Sequence, residues 1–301
     1  MTTREPTTLN SRTPSVLKEF WAVQLTRVND ELDRLLPPAD AAPTRLHRAM
    51  RHAVMAGGKR LRPILAVAVH DALHGRNESI HSVGAALEML HTYSLIHDDL
   101  PCMDDDDQRR GQPTVHVAFD EATAVLAGDA LHALAFEILA RKAPREVIAE
   151  VACAIGTTGM LGGQMADLEA EGLAPTESLV VGIHERKTGA LFIASAKTGA
   201  ILAGAASTDL AAIEAYARPL GLAFQVVDDL LEVTGDSAHL GKPADSDSKH
   251  RKVTFPGAVG VDAARQRACE LADEAKGALD GLTGETSILR ALADFVVARD
   301  H

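Results

Sequence analysis

The sequence predicts an all-α protein. Apolar residues recur at three- and four-residue steps along nearly the whole chain, aromatics make up only 3% of it, and β-branched runs are short. Between Val16 and Leu36, the residues Leu17, Phe20, Trp21, Leu25, Val28, Leu32 and Leu35 mark a first helix, which Pro37-Pro38 stops. A second helix is expected from Thr44 to Met55, ending at Gly57-Gly58, and Pro63 suits the first turn of a third. Helical spacing continues over 82–99, 120–140, 145–160, 177–205, 209–235, 262–280 and 285–299, with Gly and Pro mostly at the joints. Ala190–Ala206 is apolar on most faces, the pattern of a buried central helix. No strand-rich block or low-complexity linker divides the chain, so residues 1–301 read as one domain, with 1–12 as a flexible arm.

Composition narrows the function classes. A net charge of −12 argues against nucleic acid as a partner, since duplex binding rests on Lys and Arg neutralising phosphates. Cys102, Cys153 and Cys269 are widely spaced and form no CxxC, which fits a reducing compartment. No stretch approaches about 18 consecutive apolar residues, so no stable membrane insertion is expected. The N-terminal MTTREPTTLNSRTP lacks an apolar signal core, and the cytoplasm is the expected location.

Two acidic motifs carry the chemistry. Residues 98–108, DDLPCMDDDDQ, pack six aspartates beside apolar residues and lead into Arg109-Arg110-Gly111. Pro101 disfavours helix at Leu100, so the chain should loop there and return Asp104 towards Asp98. In the second motif, Asp228 and Glu232 are four residues apart and Asp229 and Glu232 three, which brings all three acids towards one helix face. Carboxylate oxygens are the ligands that Mg²⁺ prefers, together with substrate phosphates. The turn Gly57-Gly58-Lys59-Arg60-Leu61-Arg62-Pro63 places three cations at a helix start, where a bound anion would relieve their conflict with the helix dipole. A surface basic turn would account for that string equally well on its own. His91 lies two helical turns before Asp98, and Lys187-Thr188-Gly189, Lys242 and Lys252 add isolated cations. Together these groups suit a site for two diphosphates bridged by metal.

The strings GGKRLRP at 57–63, HTYSLIHDDLPCMDDDDQRRGQPTVH at 91–116 and LAGDAL at 126–131 resemble the trans-isoprenyl diphosphate synthase (polyprenyl synthetase) family, nearest its bacterial farnesyl-forming branch. So do GGQMADLEAE at 162–171, KTGALF at 187–192, GLAFQVVDDLLE at 221–232, GK at 241–242 and KVTFP at 252–256, in the family's order. The resemblance implies a bundle of antiparallel helices around a central cavity, usually a homodimer. It implies that isopentenyl diphosphate condenses with dimethylallyl or geranyl diphosphate to give farnesyl diphosphate and pyrophosphate. Geranylgeranyl diphosphate is the alternative product. A terpene cyclase and a non-catalytic synthase subunit are weaker readings, because the chain keeps both a second diphosphate site and nearly all the clamp residues.

By the same resemblance, about three Mg²⁺ ions, with Mn²⁺ as a substitute, are held by Asp98, Asp99 and Asp104 and by Asp228, Asp229 and Glu232. Arg109, Lys187, Lys242 and Lys252 clamp the allylic diphosphate, while Gly58, Lys59, Arg62, His91 and Arg110 hold isopentenyl diphosphate. Thr188 and Gln225 lend dipoles to the carbocation, and Gln164 and Asp167 support metal and water. Tyr93 and Ser94, just upstream of the first motif, would floor the cavity; Tyr93 lies about 7.5 Å before Asp98 at roughly 1.5 Å per helical residue. Three positions depart from the family pattern: Glu232 where Asp is usual, and Asp245 and Arg251 where glycine is usual.

Overall fold

The computed structural model describes Leu9 and residues 13–234 and 252–299. The expected arm apart from Leu9, together with Lys242, Asp245 and Arg251, lies outside the described residues. Helices dominate: α1 (Ser15–Leu35), α2 (Thr44–Val54), α3 (Leu61–Ala72) and α4 (Ile80–Asp98) precede a hairpin of β1 (Gln108–Arg109) and β2 (Gln112–Pro113). Next come α5 (Val115–Ala118), α6 (Glu121–Lys142), α7 (Arg145–Ile155), α8 (Met160–Glu169) and α9 (Glu177–His184). A π turn at Glu185–Gly189 joins α9 to α10 (Ala190–Ala203), and α11 (Ser207–Thr234) follows. Last are α12 (Phe255–Val259), α13 (Val261–Ala278) and α14 (Ser287–Ala298).

Local chemistry sets many of these ends. The Asp120 carboxylate accepts from the Thr123 N–H at 2.7 Å and starts α6. Thr254 does the same for Gly257 at α12, and Gly204, at φ 77°, closes α10 in the left-handed conformation that glycine adopts without strain. Helices α3, α4 and α10 are buried on most faces, as expected for Ala190–Ala206. Gly199 of α10 rests on the Ala66 carbonyl of α3, where a Cβ would come within 2.2 Å.

The expected helix over 145–160 ends instead at Ile155, and a separate α8 begins at Met160. Gly156, Gly159, Gly162 and Gly163 obscured α8 in the sequence, because glycine weakens helical spacing. Packing against the π turn supplies what propensity does not. Among the described residues one helix, α6, is long and apolar enough to cross a membrane; its Ala124, Ala127, Leu131, Ala135, Ile138 and Leu139 lie in the core of the bundle.

Candidate active site

A cleft of about 630 Å³ opens where the C-terminal end of α4 meets α8, the π turn, α11 and the stretch before α12. Asp98, Asp104, Asp228, Asp229 and Glu232 border it, as do Arg62, His91, Arg109, Arg110, Lys187 and Lys252. Acids 130 residues apart in sequence thus share one space.

The loop expected after Asp99 forms. Helix α4 ends at Asp98, the Met103 N–H donates to Leu100, and the Asp104 N–H donates to the Asp98 carbonyl at 2.8 Å, which brings Asp104 back to the cleft. Asp104 pairs with Lys252 across the opening at 2.8 Å. No described side chain hydrogen-bonds to or pairs with the Asp98 carboxylate. Burial, reinforced by the charge of Asp104, pushes its pKa up to about 6, while Lys187 and Arg109 pull the other way. Asp99 is buried, does not border the cleft, and grips Arg109 at 2.6 Å. Burial opposes the charge on Arg109, but Asp99 holds its pKa above the usual value. At the end of α4 one residue step of about 100° turns Asp99 away from the cleft that Asp98 borders.

The second motif divides similarly. Asp228 pairs at 2.7 Å with Arg299, whose guanidinium stacks 3.8 Å above the Phe224 ring. Asp229 is buried, accepts from the Phe255 N–H at 2.8 Å and from Gln225 Nε2 at 3.2 Å, and lies 3.3 Å from His184 Nε2. Gln225 in turn accepts from the Thr188 hydroxyl at 2.7 Å, so the expected dipoles are linked to one another. Lys187 pairs with Asp167 at 2.5 Å; burial opposes its charge, yet Asp167 and Asp98 keep its pKa raised. Gln164 is buried with neither amide atom hydrogen-bonded.

Arg62, His91 and Arg110 also border the cleft. Burial lowers Arg62 and Arg110 to about 10, and Glu88 opposes the shift in both. Gly58 and Lys59 do not border the cleft; Gly58 instead lies under the Arg110 guanidinium, where a Cβ would come within 2.6 Å. Tyr93 and Ser94 both line the cleft, and the Tyr93 ring meets His132 of α6 edge-on with centroids 5.1 Å apart. Burial raises the Tyr93 hydroxyl to about 12, and that hydroxyl has no hydrogen-bond partner.

Sequence reasoning missed Glu88, His184 and Arg299. Glu88 stands in an apolar helix three residues before His91, and that spacing was its signal. Arg299 and His184 approach the acids from distant helices and carry no local signal.

The polyprenyl synthetase family model matches residues 43–280. The chain is 43% identical over 286 residues to farnesyl diphosphate synthase of Escherichia coli, covering 91% of this chain and 96% of that one. It is 42% identical over 298 residues to a chloroplastic geranylgeranyl pyrophosphate synthase of Capsicum annuum, covering 96% and 80% respectively. A geranyltransferase structure from Helicobacter pylori, complexed with magnesium and isoprenyl diphosphate, superimposes with a TM-score of 0.81 at 32% identity, covering 95% of this chain and 97% of that one. The chain belongs to the polyprenyl synthetase family and is a trans-prenyltransferase.

Proposed function

We propose that the protein condenses isopentenyl diphosphate with dimethylallyl or geranyl diphosphate and releases farnesyl diphosphate and pyrophosphate. One observation carries this reading: a single cleft of about 630 Å³ is bordered by acids of both motifs together with Arg62, His91 and Arg110. Asp98, Asp99 and Asp104 of the first motif, with Asp228, Asp229 and Glu232 of the second, would hold about three Mg²⁺ ions, with Mn²⁺ as a substitute; hard oxygen donors suit such cations. The bare, half-buried Asp98 carboxylate supports that fit, since a cation there would offset its partial loss of water. Among the described residues no three Asp, Glu, His or Cys side chains converge on one point, so each ion would complete its shell with water and diphosphate oxygens. When bound, the ions would neutralise charge growing on the departing pyrophosphate.

The chain's own groups do the rest. Lys187, Lys252 and Arg109 oppose the same developing charge, with Asp167, Asp104 and Asp99 holding them in place. Asp99 also holds Arg109, and Asp229 also accepts from Gln225 and the Phe255 N–H. Thr188 and Gln225 aim dipoles at the allylic cation, and closure of the cleft keeps water from it. Arg62, Arg110 and neutral His91, with Gly58 and Lys59 behind them, seat isopentenyl diphosphate, whose double bond attacks the cation. The departed pyrophosphate accepts the proton. Tyr93, backed by His132, supports the fifteen-carbon product. The near-equal likeness to the Capsicum enzyme keeps geranylgeranyl diphosphate as the second reading. The reading includes a homodimer and a cytoplasmic location, the latter supported by three cysteines outside any disulfide.

Purified protein given Mg²⁺, isopentenyl diphosphate and geranyl diphosphate should yield a fifteen-carbon diphosphate. No chain elongation would sink the reading. Asp98→Asn should lower turnover by at least about 100-fold without lowering the thermal midpoint, because it removes a developing-charge contact and an unpaired, half-buried charge together.

A further inference from the structure

Three elements converge at Glu88. That residue, on α4, is buried with its side chain 2% exposed. Its Oε1 accepts from Arg60 Nη1 at 2.9 Å and lies 4.0 Å from Arg110 Nη2. Arg60 belongs to the glycine turn before α3 and Arg110 to the hairpin after α4, so one carboxylate addresses both. Arg60 also donates to the Val54 carbonyl at 2.6 Å and to Asn29 at 3.0 Å, and Arg110 donates to the Gly57 carbonyl. Both arginines hold left-handed backbone conformations, Arg60 at φ 52° and Arg110 at φ 54°. For side-chain-bearing residues that geometry is strained and persists only where the surroundings over-determine it.

We propose that Glu88 is a positioning residue for the isopentenyl diphosphate site: its carboxylate ties the Gly57–Arg62 turn to Arg110 and sets the spacing between the two arms of the anion cradle. This rests on the proposed function. The guanidinium groups of Arg60 and Arg110 approach this carboxylate, and its charge favours the ionised form of both Arg62 and Arg110. Arg60 is consumed by the pair and faces inward, while Arg62 and Arg110 border the cleft. Glu88 itself does not reach the cleft, so it acts through the arginines and touches no substrate. Without it, Arg110 keeps its bond to Gly57 but loses the charge that holds its guanidinium over Gly58.

Two variants test this. Glu88→Gln keeps the shape and an acceptor oxygen; Arg60→Met with Glu88→Met removes the buried pair together, so that neither charge is left unpaired. In both, KM for isopentenyl diphosphate should rise about tenfold, the scale of a lost supporting contact, while KM for geranyl diphosphate stays within about threefold. Equal rises in both KM values, or an unchanged KM for isopentenyl diphosphate, overturn the proposal. Calorimetric titration of isopentenyl diphosphate separates the two readings. If the wild type binds it but makes no product, the condensation fails, and the ratio of variant to wild-type Kd still decides the role of Glu88. If the wild type does not bind it, both fall.

Discussion

His91 stands among the guanidinium groups of Arg62, Arg110, Arg109 and Arg60; burial first, and then those charges, hold its pKa well below 6.5. The unfolded chain takes up a proton near 6.5 that the folded one refuses, so the folded state loses stability as the pH falls through that value. His91→Gln carries no such proton. Between pH 7 and pH 5 the wild type should lose about 1 kcal/mol more unfolding free energy than the variant in urea titrations at each pH. Parallel losses would refute a depressed His91. Residue type was legible in the sequence at this scale, but orientation was not. Asp98 and Asp99 are neighbours of identical chemistry, yet one is bare in the cleft and the other grips Arg109. Only the direction of each side chain at the end of α4 separates them.

Helix α8 and the π turn form the element on which Lys187 depends. Gly163 lies so close that a Cβ would come within 2.2 Å of the Lys187 backbone nitrogen. Gly163→Ala raises helix propensity by about 1 kcal/mol, yet it forces the two segments apart. Because a displacement of about 1 Å at a clamp can cost 100-fold in rate, kcat should fall at least about tenfold. A variant with wild-type kcat would show that the contact does not position Lys187. Most helices were legible from three- and four-residue spacing and from prolines, as α1, α4 and α11 show. Helix α8 was not, since its glycines weaken the local signal that packing on the π turn replaces.

For the molecule as a whole, the proposed limit on product length lies where two helices pack. Tyr93 on α4 meets His132 on α6, and His132 meets Phe136 at 5.1 Å, so the proposed floor would be a contact between two packed helices. Tyr93→Ala should extend the product beyond fifteen carbons, as read by chromatography of the hydrolysed diphosphates; an unchanged chain length would count against Tyr93 as the floor. The sequence by itself determined the helical class, the loop at Pro101, the two acidic motifs and the family, because each rests on spacing along one stretch of chain. Tertiary structure alone decided which acids face the cleft, that Arg60 points inward to Glu88, and that Arg299 reaches Asp228 from the far end of the chain. Those outcomes depend on burial and on charges that meet only when distant helices pack, and no periodicity within a segment encodes them.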